Sequence, residues 1–152
     1  MKCHARVVVA ALLLCLSAPA TAGGDMDPSS LKALHDYALS MAKVSAMQAA
    51  MDEAKSNAAT MEQLKSVGDD SKTIAQMEAK LSANAQAMAL YRRHGLSAHD
   101  VVVMPLVLMD AGMAVAYPSA AAKLSDRMSP AQVAFYKQHQ AELKKMPWLF
   151  GQ

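Results

Sequence analysis

The residues of this 152-residue chain most able to do chemistry are its histidines, its methionines and one carboxylate set among apolar neighbours. Beyond the first 22 residues the histidines are His35, His94, His99 and His139. No two stand at i, i+4, the spacing that presents two imidazoles to one metal from one helical face. His94 and His99 flank a turn and can meet at a shared ligand. Each also has an ordinary reading, His94 as a cation closing one helix and His99 as a solvated first-turn residue of the next. All 13 methionines except Met1 lie beyond residue 22. Met47/Met51 and Met109/Met113 are each one helical turn apart, and paired thioethers suit a soft ion such as Cu(I). Most of these methionines fall on apolar helical seams with no dense cluster of His beside them, so packing is the stronger reading.

Asp110 is the most informative single residue. One turn away along a helix its neighbours are Leu106, Val107, Met113 and Ala114, none of which can satisfy a carboxylate. A buried charge there costs several kcal/mol unless a partner arrives from elsewhere, and Arg92, Arg93, His99 or a tyrosine hydroxyl are the candidates. Trp148 and Phe150 form the other candidate binding element, because large apolar residues at a chain end need a surface to cover or to be covered by. No catalytic residue is assigned. The chain has no G-x-S-x-G, no phosphate-cradling glycine loop and no dinucleotide fingerprint, and its serines sit mainly at helix caps. No metal-ligand set and no cofactor is assigned either.

The elements that must position these residues all read as helices. Asp27-Pro28 starts one, and Leu31, Leu34, Ala38, Met41, Val44, Met47, Met51, Ala54, Ala58 and Met61 carry a single apolar stripe toward Gly68, with Ser56-Asn57 as the place for a break. After a cap at Asp70 or Ser71, the sequence predicts a second helix through Ile74, Met77, Leu81, Ala85, Met88 and Tyr91, ending at Gly95. Ser97-Ala-His-Asp100 is a capping box, and the run from Val101 to Tyr117 behind it is apolar on every side. Such a helix belongs at the centre of a bundle or in a bilayer, and its carboxylate favours the bundle. Pro105 should kink it. Ser129-Pro-Ala-Gln132 is a second capping box with Pro at the first helical position, opening a fourth helix that runs to about Met146 before Pro147. The predicted fold is therefore all-α: one domain, residues 23–152, as a four-helix bundle-like architecture around a central, apolar, Pro-kinked third helix.

The start of the chain reads as a cleavable signal over residues 1–22. Lys2 and Arg6 precede the apolar run Val7–Leu16, and Ala20 and Ala22 offer the small residues a signal peptidase reads, with cleavage after Ala22 preferred to Ala20. That run is about half of the ~20 residues a membrane span requires, so no permanent anchor is expected. Leu14 before Cys15 argues against lipoprotein processing. Cys3 and Cys15, the only cysteines, both fall in this segment, so no disulfide is available to the domain. Lys2 and Arg6 fall there too, which leaves 13 basic residues against 13 acidic ones in the remainder. A neutral domain lacks the basic footprint of a nucleic-acid binder.

Two resemblances follow from these motifs. Arg93-His-Gly-Leu-Ser-Ala-His-Asp100 leading into an apolar helix, followed by Ser129-Pro-Ala-Gln-Val-Ala-Phe135, resembles a family of small exported bacterial helical proteins of uncharacterised role, over roughly the second half of the chain. That resemblance implies a fold and no activity. Met128-Ser-Pro-Ala-Gln132 is similar to the L-T-x-x-Q signature of periplasmic stress chaperones of the Spy type. Here Met and Ser replace Leu and Thr, only one copy occurs, and a capping box accounts for the same residues. Taken together, the residues point to an exported, periplasmic or secreted, helical binding protein without enzymatic activity. Its expected partner is an envelope protein or an apolar ligand, and the alternative is periplasmic copper handling through Met and His.

Overall fold

The computed structural model describes residues 26–56 and 71–150. The proposed signal at 1–22, the new terminus at Gly23, the stripe positions Ala58 and Met61, and the turns at Asn57, Gly68 and Asp70 lie outside them. Every regular element among the described residues is helical. In chain order these are α1 (Pro28–His35), α2 (Met41–Lys55), α3 (Ile74–Ala83), α4 (Ala85–Arg93), α5 (Ala98–Ala116), the short α6 (Pro118–Ala121) running into a 3-10 turn (Ala122–Leu124), α7 (Pro130–Leu143) and the short α8 (Pro147–Phe150).

The starts and stops are set by local chemistry. Asp27, Ser40, Thr73, Asn84, Ser97 and Ser129 each accept a backbone N–H from the first turn of the helix that follows. Both capping boxes, Ser97/Asp100 and Ser129/Gln132, are formed in full. At Gly95 the backbone turns left-handed, with φ near 75°. Leu96 N–H then reaches back to the Tyr91 carbonyl at 3.0 Å and Gly95 N–H to that of Arg92 at 3.0 Å. This is the Schellman pattern, and Leu96 and Tyr91, both buried, supply its apolar contact.

Two predicted helices are each divided in a way the apolar stripe did not reveal. The first breaks at residues 36–40, where Asp36 ends α1 and Ser40 caps α2. The stripe fails at the break: Ala38, its member there, is exposed, and Tyr37 beside it turns inward and is buried instead. The second divides at Asn84, which ends α3 and caps α4, its side chain accepting from Ala87 N–H at 3.0 Å. An Asn that can serve its own following backbone makes such a break inexpensive.

The predicted third helix, α5, is the centre of the fold. It packs against every other described helix, most extensively against α7. Its inner side contributes Val103, Met104, Val107, Leu108 and Ala111, all at 1% exposure or less. Leu34, Val44, Met47, Met51, Leu81, Met88, Tyr91 and Leu143 close around them. Pro105 lies within α5 and removes one backbone donor from its first turns. By length and composition α5 is the one described helix able to cross a membrane, with a mean hydropathy of 1.5, yet 44% of it is already covered by the rest of the fold. Its other side is only partly covered, and that asymmetry bears on function.

Polar groups inside the core tie distant elements together. Buried Gln132 accepts from Ser129 N–H at 2.8 Å, while its amide N–H groups donate to the carbonyls of Leu34 at 2.7 Å, His35 at 3.2 Å and Tyr37 at 2.9 Å. One side chain therefore ties the start of α7 to the end of α1 and the link behind it, adding a donor where a helix terminus has few of its own. Buried Ser30 of α1 accepts the first N–H of α3, from Ile74, at 3.1 Å.

Candidate functional site

The densest cluster of ionisable groups lies where α5 begins. Asp100 is 5% exposed and has four donors around its two oxygens. Oδ1 accepts from the Tyr37 hydroxyl at 2.8 Å and from Lys43 Nζ at 2.6 Å. Oδ2 accepts from Ser97 N–H at 3.0 Å and from Ser97 Oγ at 2.7 Å. Burial pushes this carboxyl upward, but Lys43, Ser97 and Tyr37 together outweigh it and hold Asp100 well below the usual carboxylate range. Burial, followed by the hydrogen bond to Asp100, pushes the Tyr37 phenol far above its ordinary value. Lys43 also lies over the Tyr37 ring, 5.3 Å from its centroid. An ionised acid whose acceptor positions are filled, beside a phenol held protonated, offers no free base to a substrate. The geometry fastens the α1–α2 joint onto α5. Sequence reasoning found only the capping-box half of Asp100, because Tyr37 comes from a break that periodicity could not see and Lys43 from the first turn of the helix behind it.

The predicted histidines are not brought to a shared ligand; each is held by its own carboxylate. His94 Nε2 is 2.8 Å from Glu53, whose other oxygen takes Arg93. His99 Nδ1 is 2.8 Å from Glu78 on α3, and its ring leans on Tyr37 with centroids 5.6 Å apart. His35 and His139 likewise face Asp36 and Glu142. Among the described residues no group of three or more His, Cys, Asp or Glu side chains is placed to hold a metal ion.

Asp110 is buried at 3% exposure, as its neighbours implied. Its partner is none of those expected. Arg127, from the turn before α7, donates to its Oδ1 at 2.9 Å. Arg92, Arg93 and His99 belong to the opposite end of α5, and the turn carrying Arg127 has no periodicity to announce it. Burial pushes the Asp110 carboxyl up, against the opposing pull of Arg127. The inner guanidinium nitrogen of Arg127 is buried without an acceptor. Directly below on α5, Gly112 lets the Tyr136 ring of α7 come close: a Cβ there would lie 3.0 Å from its Cζ and hydroxyl oxygen. The tail folds back, with α8 resting on α5 and Trp148 and Leu149 half-buried against the core. The Trp148 indole N–H is buried and has no acceptor. Phe150 lies in α8, and its side chain is outside the description.

The remaining feature is the outer side of α5. Three large apolar residues are exposed among the described residues: Met109 at 42%, Met113 at 43% and Tyr117 at 64%. They stand at i, i+4 and i+8, one above another along the same line of the helix and its cap. Half-buried Val102, Pro105 and Leu106 extend that line toward the N-terminus, and no polar residue interrupts it. The Met109/Met113 pairing was legible in the sequence; its exposure was not, because a helix apolar all round gives no sign of which side faces out. No family model matches this chain, and no curated protein or solved structure matches it either.

Proposed function

We propose that this chain is an exported helical protein that acts by docking an apolar segment of an envelope protein, and that the outer side of α5 is the docking face. The observation that carries this reading is the alignment of Met109, Met113 and Tyr117. Single exposed apolar residues scattered over a surface need no explanation, whereas a contiguous line of them marks an interaction site. The flexible thioethers of Met adapt to irregular partners, and Tyr supplies apolar area with a polar tip. A stripe of this width fits one helix laid along another, in the manner of an apolar helix seated in a groove. The polar clusters argue for the same class of function, since Asp100 and Asp110 are both engaged in holding helices together.

The test is a photo-crosslinker placed at Met113 or, as control, at exposed Lys137 of α7, in cells that export the protein. A discrete product from position 113 alone, lost when Met109 and Tyr117 are both replaced by Glu, supports docking. Equal or absent products at the two positions reject it. Copper handling draws on the same two methionines. Leu at both positions would abolish Cu(I) uptake and leave docking intact, so the two readings separate in one pair of variants.

A further inference from the structure

The stripe on α5 has a chemical property that an equally apolar stripe of leucines would lack. We propose that Met109 and Met113 form a paired sulfoxidation site, through which peroxide converts this face from apolar to polar. The proposal rests on the docking reading only for its consequence; the site itself stands on exposure and position.

The other described methionines are less exposed, and most of them are buried. Met47, Met51, Met88, Met104 and Met128 are between 0% and 6% exposed, and Met26, Met41, Met77 and Met146 are half-buried. A peroxide must bring its oxygen to the sulfur lone pair, so the core methionines react only when the fold opens. Met109 and Met113, at 42% and 43% exposure, are open to it in the folded protein. In the reaction the sulfur lone pair attacks one oxygen of hydrogen peroxide. The S–O bond forms, the O–O bond breaks, and the departing hydroxide takes the proton from the oxygen now on sulfur, leaving sulfoxide and water. Sulfur is oxidised by two electrons and the peroxide is reduced by two.

The product is a polar, chiral sulfoxide, reversible by sulfoxide reductases. Two of them one turn apart place strong acceptors in the middle of the stripe, between Leu106 and Tyr117. Asp110 and Ala111, on the inner side of the same turn, are buried against α7 and the core, so the change stays on the outer face. An apolar partner segment would then have to bury two unpaired oxygens, whereas water satisfies them in the undocked protein. Oxidation therefore releases the partner without unfolding the domain.

The experiment treats the folded, purified chain with hydrogen peroxide and follows each methionine by peptide mapping. Retention on a phenyl hydrophobic-interaction column and helical circular dichroism are followed in parallel. Met109 and Met113 should each gain one oxygen at least about ten times faster than Met47, Met51, Met88 and Met104, with unchanged helicity and earlier elution. In M109L/M113L, peroxide should leave the elution position where it was. Equal oxidation rates across the methionines, or loss of helicity in step with oxidation at 109 and 113, would overturn the proposal. So would an elution shift that persists in the double variant. Neither readout uses a partner, so a failed crosslink at position 113 and a failed sulfoxidation site are separate outcomes.

Discussion

Replacing Asp100 with Asn tests the reading of the α5 cap as the fastening of the fold. The substitution keeps the shape and removes the charge, leaving one oxygen and an amide N–H₂ group facing four donors: Lys43, the Tyr37 hydroxyl, and the N–H and hydroxyl of Ser97. Lys43 is 42% exposed, and such a pair contributes at most about 0.5 kcal/mol after solvent screening. The buried charge-assisted bond from Tyr37 is worth roughly 1.5–3 kcal/mol, and the weakened cap about 1 kcal/mol more. The expected loss is about 3–4 kcal/mol, or a fall in Tm of about 10 °C for a domain of this size. Tyr37→Phe should account for about half of it and Lys43→Met for little. The pH dependence provides an independent check. Because the folded carboxyl lies below its ordinary value of 3.8, its contribution is complete above that value and is lost as pH falls through the lower, folded one. Asp110, raised by burial, acts in the opposite sense, its penalty easing as it is protonated. The informative quantity is therefore the difference between wild type and D100N, which should be constant near neutrality and shrink below about pH 4. A Tm change under about 3 °C, or wild-type and variant curves that stay parallel into acid, would refute the role assigned to Asp100.

Three further outcomes are expected. Gly112→Ala should cost about 1–2 kcal/mol despite the better helix former, because the added Cβ meets the rigid Tyr136 ring at 3.0 Å, and Tyr136→Phe should recover part of it by removing the hydroxyl; thermal melts of the single and double variants check this. Gly95→Ala should cost about 1 kcal/mol for a different reason: nothing lies within 4 Å of its Cβ, but φ near 75° is strained for Ala, and Asn there should be tolerated better. Exported protein should begin at Gly23 by intact-mass measurement, and recovery of material that retains Met1 would remove the basis for both the compartment and the neutral charge of the domain.

The helical class and most helix ends could be read from the sequence because caps, Pro at first positions and a left-handed Gly act through neighbours only a few residues away. Ser97, Ser129 and Gly95 were legible for that reason, whereas Pro147, read as the stop of the last long helix, instead opens α8, α7 having already ended at Leu143. The divisions at residues 36–40 and at Asn84 were not, since apolar spacing says nothing of where the backbone bends: Ala38, on the predicted stripe, is exposed, and Tyr37, outside it, is buried. The long-range partners were hidden for a related reason. Arg127 for Asp110, and Lys43 with Tyr37 for Asp100, are set by how the helices cross, and no local pattern records a crossing. For α5 the difficulty was one of degree. Uniform apolarity identified the central helix, but a helix without a polar side carries no information about which side the others leave open.

The reach of Gln132 has a consequence for the order in which the molecule can assemble. Its amide closes the carbonyls of Leu34, His35 and Tyr37 across a separation of up to 98 residues. A chain emerging N-terminus first holds the end of α1 only by local backbone bonds, such as Tyr37 N–H to the Leu34 carbonyl at 3.4 Å, and by water until α7 has been made. Closing so long a loop is slow and entropically costly, and it is recovered only when α7 docks on α5. The N-terminal helices should thus remain loosely organised on a growing or threading chain and become fixed in one late, cooperative step. A protein built this way stays easy to carry in extended form until α7 arrives.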